Sequence, residues 1–231
     1  MKNKDIFLSS CLNKECFIVT NLKSFNTILK STKNKKNIFI TLKSNKKLSN
    51  FAILKNNLKF ISKLVLFKYN LTHNKKIKIN ESLSFTKAKN IDWLKIKKII
   101  PKEGTSRVFH DLTFKKKLRE KYLFNWIKNF FSGKRGDNLI LCKNQKKQIL
   151  GFALLRKLKN KVIVDQLLIS KFAQGQGIGT QLLKIVNTKF SKKPTISGVH
   201  SFNTGGISFY SSKLKCKIIN ESYYYHFHKI R

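Results

Sequence analysis

The stretch AQGQGIGTQLL, residues 173–183, places three glycines at alternate positions at the mouth of an apolar helical pattern. Glycine is permissive in conformation and costly in entropy. A run of it therefore marks a backbone that turns tightly or lies close to something. The strand-like run KVIVDQLLIS (161–170) precedes it, and Leu182, Leu183, Val186 and Phe190 follow on one face of an amphipathic helix. Strand, glycine loop and helix in this order confine the region to an α/β fold. A nucleotide P-loop needs Lys and then Ser or Thr after its last glycine, whereas Gly179 is followed by Thr180 and Gln181. A dinucleotide fold places G-x-G-x-x-G in its first strand–helix unit; here the pattern is G-x-G-x-G, late in the chain. Two readings remain, a tight turn with close helix–strand packing and an anion cradle at a helix N-terminus.

Around the loop the pattern is regular. Apolar residues from Leu112 to Phe131 recur at helical spacing and end at Ser132-Gly133. NLILC (138–142) and QILGFALLRKL (148–158) read as a hairpin, and TISGVHS (195–201) as a strand. TGGISFYSSKL (204–214) reads as a short helix, with two further strands around CKII and SYYYHFH. The fold class is α/β, a mixed central β-sheet flanked by helices. Residues 1–100 form a smaller N-terminal α/β domain with strands at CFIVTN and NIFITLK. A helix with strand spans 50–71, another helix lies before Pro101, and residues 101–105 are a linker. Helix, Leu-Lys and apolar strand recur around 58–60 and 214–216, which raises a half-domain repeat.

The 231 residues carry a formal charge of +40, which invites a nucleic-acid partner. The distribution argues against one. Residues 1–105 and 106–231 hold 24 and 26 of the 50 basic side chains, so the excess is uniform rather than a stripe. Nearly all of it is lysine, whereas bidentate phosphate and base recognition favours arginine. Cys11, Cys16, Cys142 and Cys216 have no metal-ligand spacing, so no metal is expected. No apolar stretch is long enough for a membrane span, and the expectation is a cytoplasmic protein.

Gln174-x-x-Gly177-x-Gly179 after a strand, followed later by Asn203 and Tyr210 seven residues on, resembles the GNAT acetyltransferases. That resemblance covers 138–231 and makes 106–231 the acetyltransferase domain. SRVFHD (106–111), the Trp-bearing helix, ILGFALL and SYYYHFH extend it to the dTDP-fucosamine acetyltransferases. These acetylate the 4-amino group of a dTDP-linked dideoxy sugar for surface glycan synthesis. The resemblance implies acetyl-CoA as cosubstrate, its pyrophosphate held by Gln174, Gly175, Gln176, Gly177, Ile178, Gly179 and Thr180. It also implies pantetheine bonding along Leu167, Leu168 and Ile169, coenzyme contact by Asn203, and a homodimer. Tyr210, a phenol of ordinary pKa about 10, would protonate the departing thiolate. Asp165 would act as base through water, and Arg107 and Asp111 would touch the nucleotide-linked amino sugar. Bland roles stand beside these: Tyr210 as a core aromatic, Asn203 as a helix cap, Asp165 as a paired carboxylate, Arg107 and Asp111 as a salt bridge. His200, His226 and His228 show no partner. Alternatives are acetylation of another amine, or a non-catalytic RNA-binding protein. Leu214-Lys215-Cys216 stands where the family has Leu-Gly-Phe, so a left-handed cap without glycine is expected at a cost of about 1 kcal/mol.

Overall fold

The computed structural model describes residues 4–72, 74–101, 104–136 and 138–229. The first part of the chain forms α1 (Ile6–Leu12), β1 (Glu15–Val19), α2 (Leu22–Ser31), β2 (Ile38–Ser44), α3 (Asn50–Lys55) and β3 (Lys59–Tyr69). Then come β4 (Ser84–Lys87), α4 (Trp93–Ile99), α5 (Arg107–His110), α6 (Lys116–Phe131), β5 (Asn138–Lys143) and β6 (Ile149–Lys157). The last part is β7 (Val162–Ile169), α7 (Ile178–Lys189), β8 (Thr195–His200), α8 (Thr204–Ser208) and β9 (Lys217–Lys229). A π-helical turn, Phe209–Lys213, prolongs α8.

All of these strands join one mixed sheet in the order β1-β2-β9-β3-β8-β7-β6-β5-β4. The sequence β1-α2-β2-α3-β3 has the same order as β7-α7-β8-α8-β9, and in each the first two strands are parallel. The third strands are exchanged: β3 lies beside β8, β9 beside β2, and the two run antiparallel at the centre. This is the half-domain repeat, and it has a two-fold character that no local pattern reveals. The boundary at 101–105 therefore does not separate two sheets; of that linker, residues 102 and 103 lie outside the described residues.

The two halves differ where it matters. β1 and β2 stay in register over all five residues, Glu15↔Ile38 to Val19↔Leu42. Only Thr20 and Asn21 lead into α2, and the Asn21 side chain caps that helix through Ser24 N at 2.8 Å. β7 and β8 are paired only at Val162↔Thr195, Ile163↔Ile196 and Val164↔Ser197, and then diverge. The N-terminal half is zipped shut; the C-terminal half is wedged open.

Apolar clusters cover both faces of the sheet. One unites α1, α5 and α6 with Phe152 and Leu154; another sets Leu182, Leu183 and Val186 of α7 against Val65, Phe67 and Val164. A third packs Phe25 and Ile28 of α2 on β1 and β2. CKII and SYYYHFH, expected as two strands, are the single strand β9, with register shifts against β3 absorbed at Phe60/Ser62 and Leu66/Phe67. The long helix begins at Lys116 rather than near Leu112, which is 75% exposed. Lys215 adopts φ 50°, the left-handed cap expected from the sequence, and Cys216 N closes it on Tyr210 O at 2.8 Å. No helix among the described residues is long and apolar enough to cross a membrane.

Candidate active site

A cavity of about 880 Å³ occupies the wedge between β7 and β8. Its floor follows from the strand chemistry. Beyond Val164 the edge of β7 that faces β8 has no strand beside it among the described residues, so the main-chain groups on that edge are free to pair with an extended ligand. Leu167 and Ile169 line the cavity, whereas Leu168 packs into the opposite cluster, as alternation along a strand requires. Across the β6 pairing, Leu154↔Gln166 is followed by Leu155↔Val164, so Asp165 is the extra residue of a bulge.

At the end of β7 the chain makes a one-turn 3-10 helix, Lys171–Ala173, and enters the glycine loop. Gln174 Nε2 donates to Ile169 O at 3.2 Å and Gln176 Nε2 to Phe172 O at 3.0 Å, tying the loop to the strand end. Gly175 and Gly177 have φ 80° and 74°, a region open to glycine and strained for other residues. Gly177 is the N-cap of α7, and no side chain caps that helix. The first intrahelical bond is Gln181 N to Gly177 O, so the N–H groups of Ile178, Gly179 and Thr180 precede the ladder. The Thr180 hydroxyl is buried without a hydrogen-bond partner among the described residues. A twelve-residue helix with an open N-terminus, fronted by left-handed glycines, suits a pyrophosphate group. Of the loop residues named from the sequence, Gln176 alone does not line the cavity.

The opposite wall comes from β8 and α8. Asn203 lines the cavity, but its Oδ1 accepts from Gly206 N at 3.0 Å, so the oxygen serves as the cap of α8. Tyr210 sits in the π-helical turn, a distortion that often marks functional positions. Its ring is stacked on Phe67 at 5.3 Å, its residue is 5% exposed, and burial pushes its phenol up to about 12. The hydroxyl is thus protonated throughout the working range.

Asp165 lines the cavity as a paired carboxylate. Oδ2 accepts from Arg135 Nε and Nη2 at 3.2 and 3.1 Å, and Oδ1 from Arg156 Nε and Nη2 at 3.0 and 2.7 Å. Both oxygens already hold bidentate partners, an arrangement for structure rather than proton abstraction. Asp165→Asn should lower stability by about 1–2 kcal/mol in thermal melts, because two guanidinium groups, 33% and 36% exposed, lose their shared anion. Its transfer rate at a given coenzyme saturation should change less than about threefold.

Asp111, expected at the acceptor, is not at the cavity. It is fully buried, and its Oδ2 accepts from His226 Nδ1 at 2.6 Å and His228 Nε2 at 2.7 Å. Lys59 Nζ stands 3.7 Å from its Oδ1. Alternate residues of β9 put both rings on one face against Phe39 and Phe114. The three ligand atoms lie within 4.8 Å of one another, a spacing a divalent ion bridges. Ligation would move the ring protons to His226 Nε2 and His228 Nδ1, buried atoms without a hydrogen-bond partner among the described residues. Metal-bound imidazoles normally donate that second N–H. The cluster is better built as two hydrogen bonds that fasten α5 to β9.

Burial, against the opposing pull of Asp111, lowers His226 to about 4, and burial with Arg107 lowers His200 to about 3. Both are neutral when folded and take up protons near pH 6.5 when unfolded. Between about pH 6.5 and 4 the unfolded chain therefore binds more protons, and stability falls as pH falls through that window. The Tm should be flat near pH 7–8 and decline steadily below 6.5, and His226→Gln should remove about one proton from that slope.

Residues 107–204 match the family described as an acetyltransferase (GNAT) domain. A functionally unknown conserved protein from Staphylococcus epidermidis is similar over 96% of this chain and 89% of its own, at 12% identity and TM-score 0.70. A GCN5-related N-acetyltransferase from Sphaerobacter thermophilus is similar over 91% and 67%, at 9% identity and TM-score 0.61. A tandem GNAT protein of the clavulanic acid biosynthesis pathway is similar over 90% and 70%, at 9% identity and TM-score 0.58. No protein of curated function matches the sequence. The wedge and the open helix end fall within the matched segment: residues 107–204 form an acetyltransferase (GNAT) domain, that of an N-acetyltransferase.

Proposed function

We propose that the protein transfers the acetyl group of acetyl-CoA to the 4-amino group of a dTDP-linked amino-dideoxy sugar. The observation that carries the transfer is the single cavity joining the uncapped N-terminus of α7 to Tyr210 through the gap between β7 and β8. The coenzyme supplies a thioester carbonyl and a leaving thiol. The N–H groups of Gly177 to Thr180 and the dipole of α7 hold its pyrophosphate, and the free edge of β7 from Gln166 to Ile169 aligns its arm. Leu167, Ile169 and Phe209 exclude water from the thioester. Tyr210 holds a proton at its phenol oxygen for the departing sulfur. Asn203 offers its Nδ2 to the coenzyme arm, since only its oxygen is committed to α8.

The sugar rests on the resemblance of SRVFHD and SYYYHFH, and on the cations at the cavity: Lys43, Arg107, Lys161 and Lys213 line it with Arg135 and Arg156. Such a field favours a diphosphate-linked acceptor and repels a polycationic one. Thiol release from acetyl-CoA, measured with dTDP-linked 4-amino-4,6-dideoxy sugars and with simple amines, tests it. Release that depends on the nucleotide sugar is expected. Release with other amines alone would leave the transfer reaction and remove the sugar.

A further inference from the structure

We infer that Arg107, His200 and Lys43 form an oxyanion subsite that docks a phosphate or carboxylate of the acceptor beside the coenzyme wedge. The inference rests on the transfer reaction proposed above and adds the group by which the acceptor is held. All three line the cavity and gather on one ring: Arg107 Cζ lies 5.6 Å, Lys43 Nζ 6.0 Å and the His200 ring centre 5.6 Å from the centre of Tyr224.

Arg107 is held by a long ion pair and an aromatic ring but by no hydrogen bond among the described residues, and its side chain is only 15% exposed. Its nearest carboxylate oxygen, Asp5 Oδ2, is 3.7 Å away, while Asp5 Oδ1 is engaged by Leu8 N. Arg107 Nε and the neighbouring Ser106 Oγ are buried without hydrogen-bond partners among the described residues. A nearly buried guanidinium with its donors unspent is costly, and a bidentate anion removes that cost. Arg135 and Arg156, by contrast, have spent their forks on Asp165.

The bond between Ser62 and His200 fixes a proton. Ser62 is 1% exposed, and its hydroxyl has one partner among the described residues, His200 Nδ1 at 2.7 Å. If Nδ1 carried the ring proton, the buried serine proton would have no acceptor, at about 1–3 kcal/mol. Ser62 therefore donates, Nδ1 is bare, and the ring proton resides on Nε2. His200 is stacked on Phe202, and Phe202 on His110, so the ring is held in place. With a neutral ring, His200 is a hydrogen-bond donor to the cavity rather than a base. One fork, one neutral N–H and one ammonium suit an oxyanion better than a neutral sugar hydroxyl.

The test uses protein labelled with ¹⁵N at histidine and arginine, titrated separately with inorganic phosphate and with acetate at constant ionic strength. The Arg107 Nε–H and His200 ring signals should move saturably. A response to phosphate alone identifies a phosphorylated acceptor, and one to acetate alone a carboxylate; either supports the subsite. In Arg107→Gln the anion should shift the His200 signals at least about tenfold more weakly, and Arg107→Lys should restore only part of the response. Long-range ¹⁵N–¹H correlations should show His200 protonated at Nε2, a preference that Ser62→Ala should abolish. Silence at Arg107 and His200 with both anions, or a response unchanged in Arg107→Gln, would overturn the subsite. A proton on Nδ1 would remove His200 from it. Acetyl-CoA binding, followed on the same samples, separates the two readings. If the coenzyme fails to bind while the anion response persists, the transfer reaction falls and the subsite stands; the reverse result removes only the subsite.

Discussion

Tyr210→Phe should lower the transfer rate by at least about two orders of magnitude while leaving acetyl-CoA binding within about twofold. The change removes one oxygen and keeps the ring. The stack on Phe67 at 5.3 Å and the edge contact with Phe209 at 5.0 Å both persist, so the π-helical turn keeps its packing. Tyr69 is hydrogen-bonded to Ser197 at 2.8 Å, a bond that survives removal of the Tyr210 hydroxyl facing both groups. The loss should therefore fall on kcat, with little change in Tm or in the coenzyme Kd. Burial holds the phenol near 12, so the residue is fully protonated and no rate-limiting deprotonation of Tyr210 should appear in the pH profile below about pH 10. A rate unaffected by the substitution would assign the proton on the leaving sulfur to solvent and return Tyr210 to the core.

How far the sequence announced this site depends on whether the signal was local. The loop was legible because Gly175 and Gly177 are needed for conformations that other residues resist, and such needs are written residue by residue. Tyr210 was legible by its spacing from Asn203. Asp165 was ambiguous because its partners, Arg135 and Arg156, lie 30 and 9 residues away in the chain and meet it only through the sheet. His226 and His228 show no partner in the sequence for the same reason, since their common acceptor is 115 and 117 residues distant. Asp111 drew attention as a charged residue in a motif, yet motif membership says nothing about which way a carboxylate faces. The exchange of β3 and β9 was hidden altogether: antiparallel neighbours are chosen by the two halves folding together, and each strand taken alone looks the same in either partnership. Lysine and asparagine interrupt the apolar pattern of α2, and α1 and β4, seven and four residues long, are too short to show a period.

The repeat explains why one half of the sheet is open and the other closed, and it supplies the control for the largest effect on binding. Gly177→Val should weaken acetyl-CoA binding at least about 100-fold. At φ 74° a β-branched residue is strained by about 1–2 kcal/mol, and the loop relieves the strain by leaving the conformation that exposes its N–H groups. The nearest atom to a Cβ at this position is Gln181 Nε2 at 4.0 Å, so the protein itself has room for the side chain. Strain and the space required by the ligand, not a clash within the fold, are what the substitution reports. The Tm should fall by about 2–6 °C, enough to detect and too little to explain lost binding. The matching position in the other half is the turn into α2, where Asn21 supplies a side-chain cap instead of an open helix end. Asn21→Ala should lower stability by about 1 kcal/mol and leave acetyl-CoA binding unchanged. If both substitutions cost stability alone, the glycine loop is only a tight turn. If Gly177→Val alone abolishes binding, the difference between a capped and an uncapped helix is what made one half of this sheet a binding site.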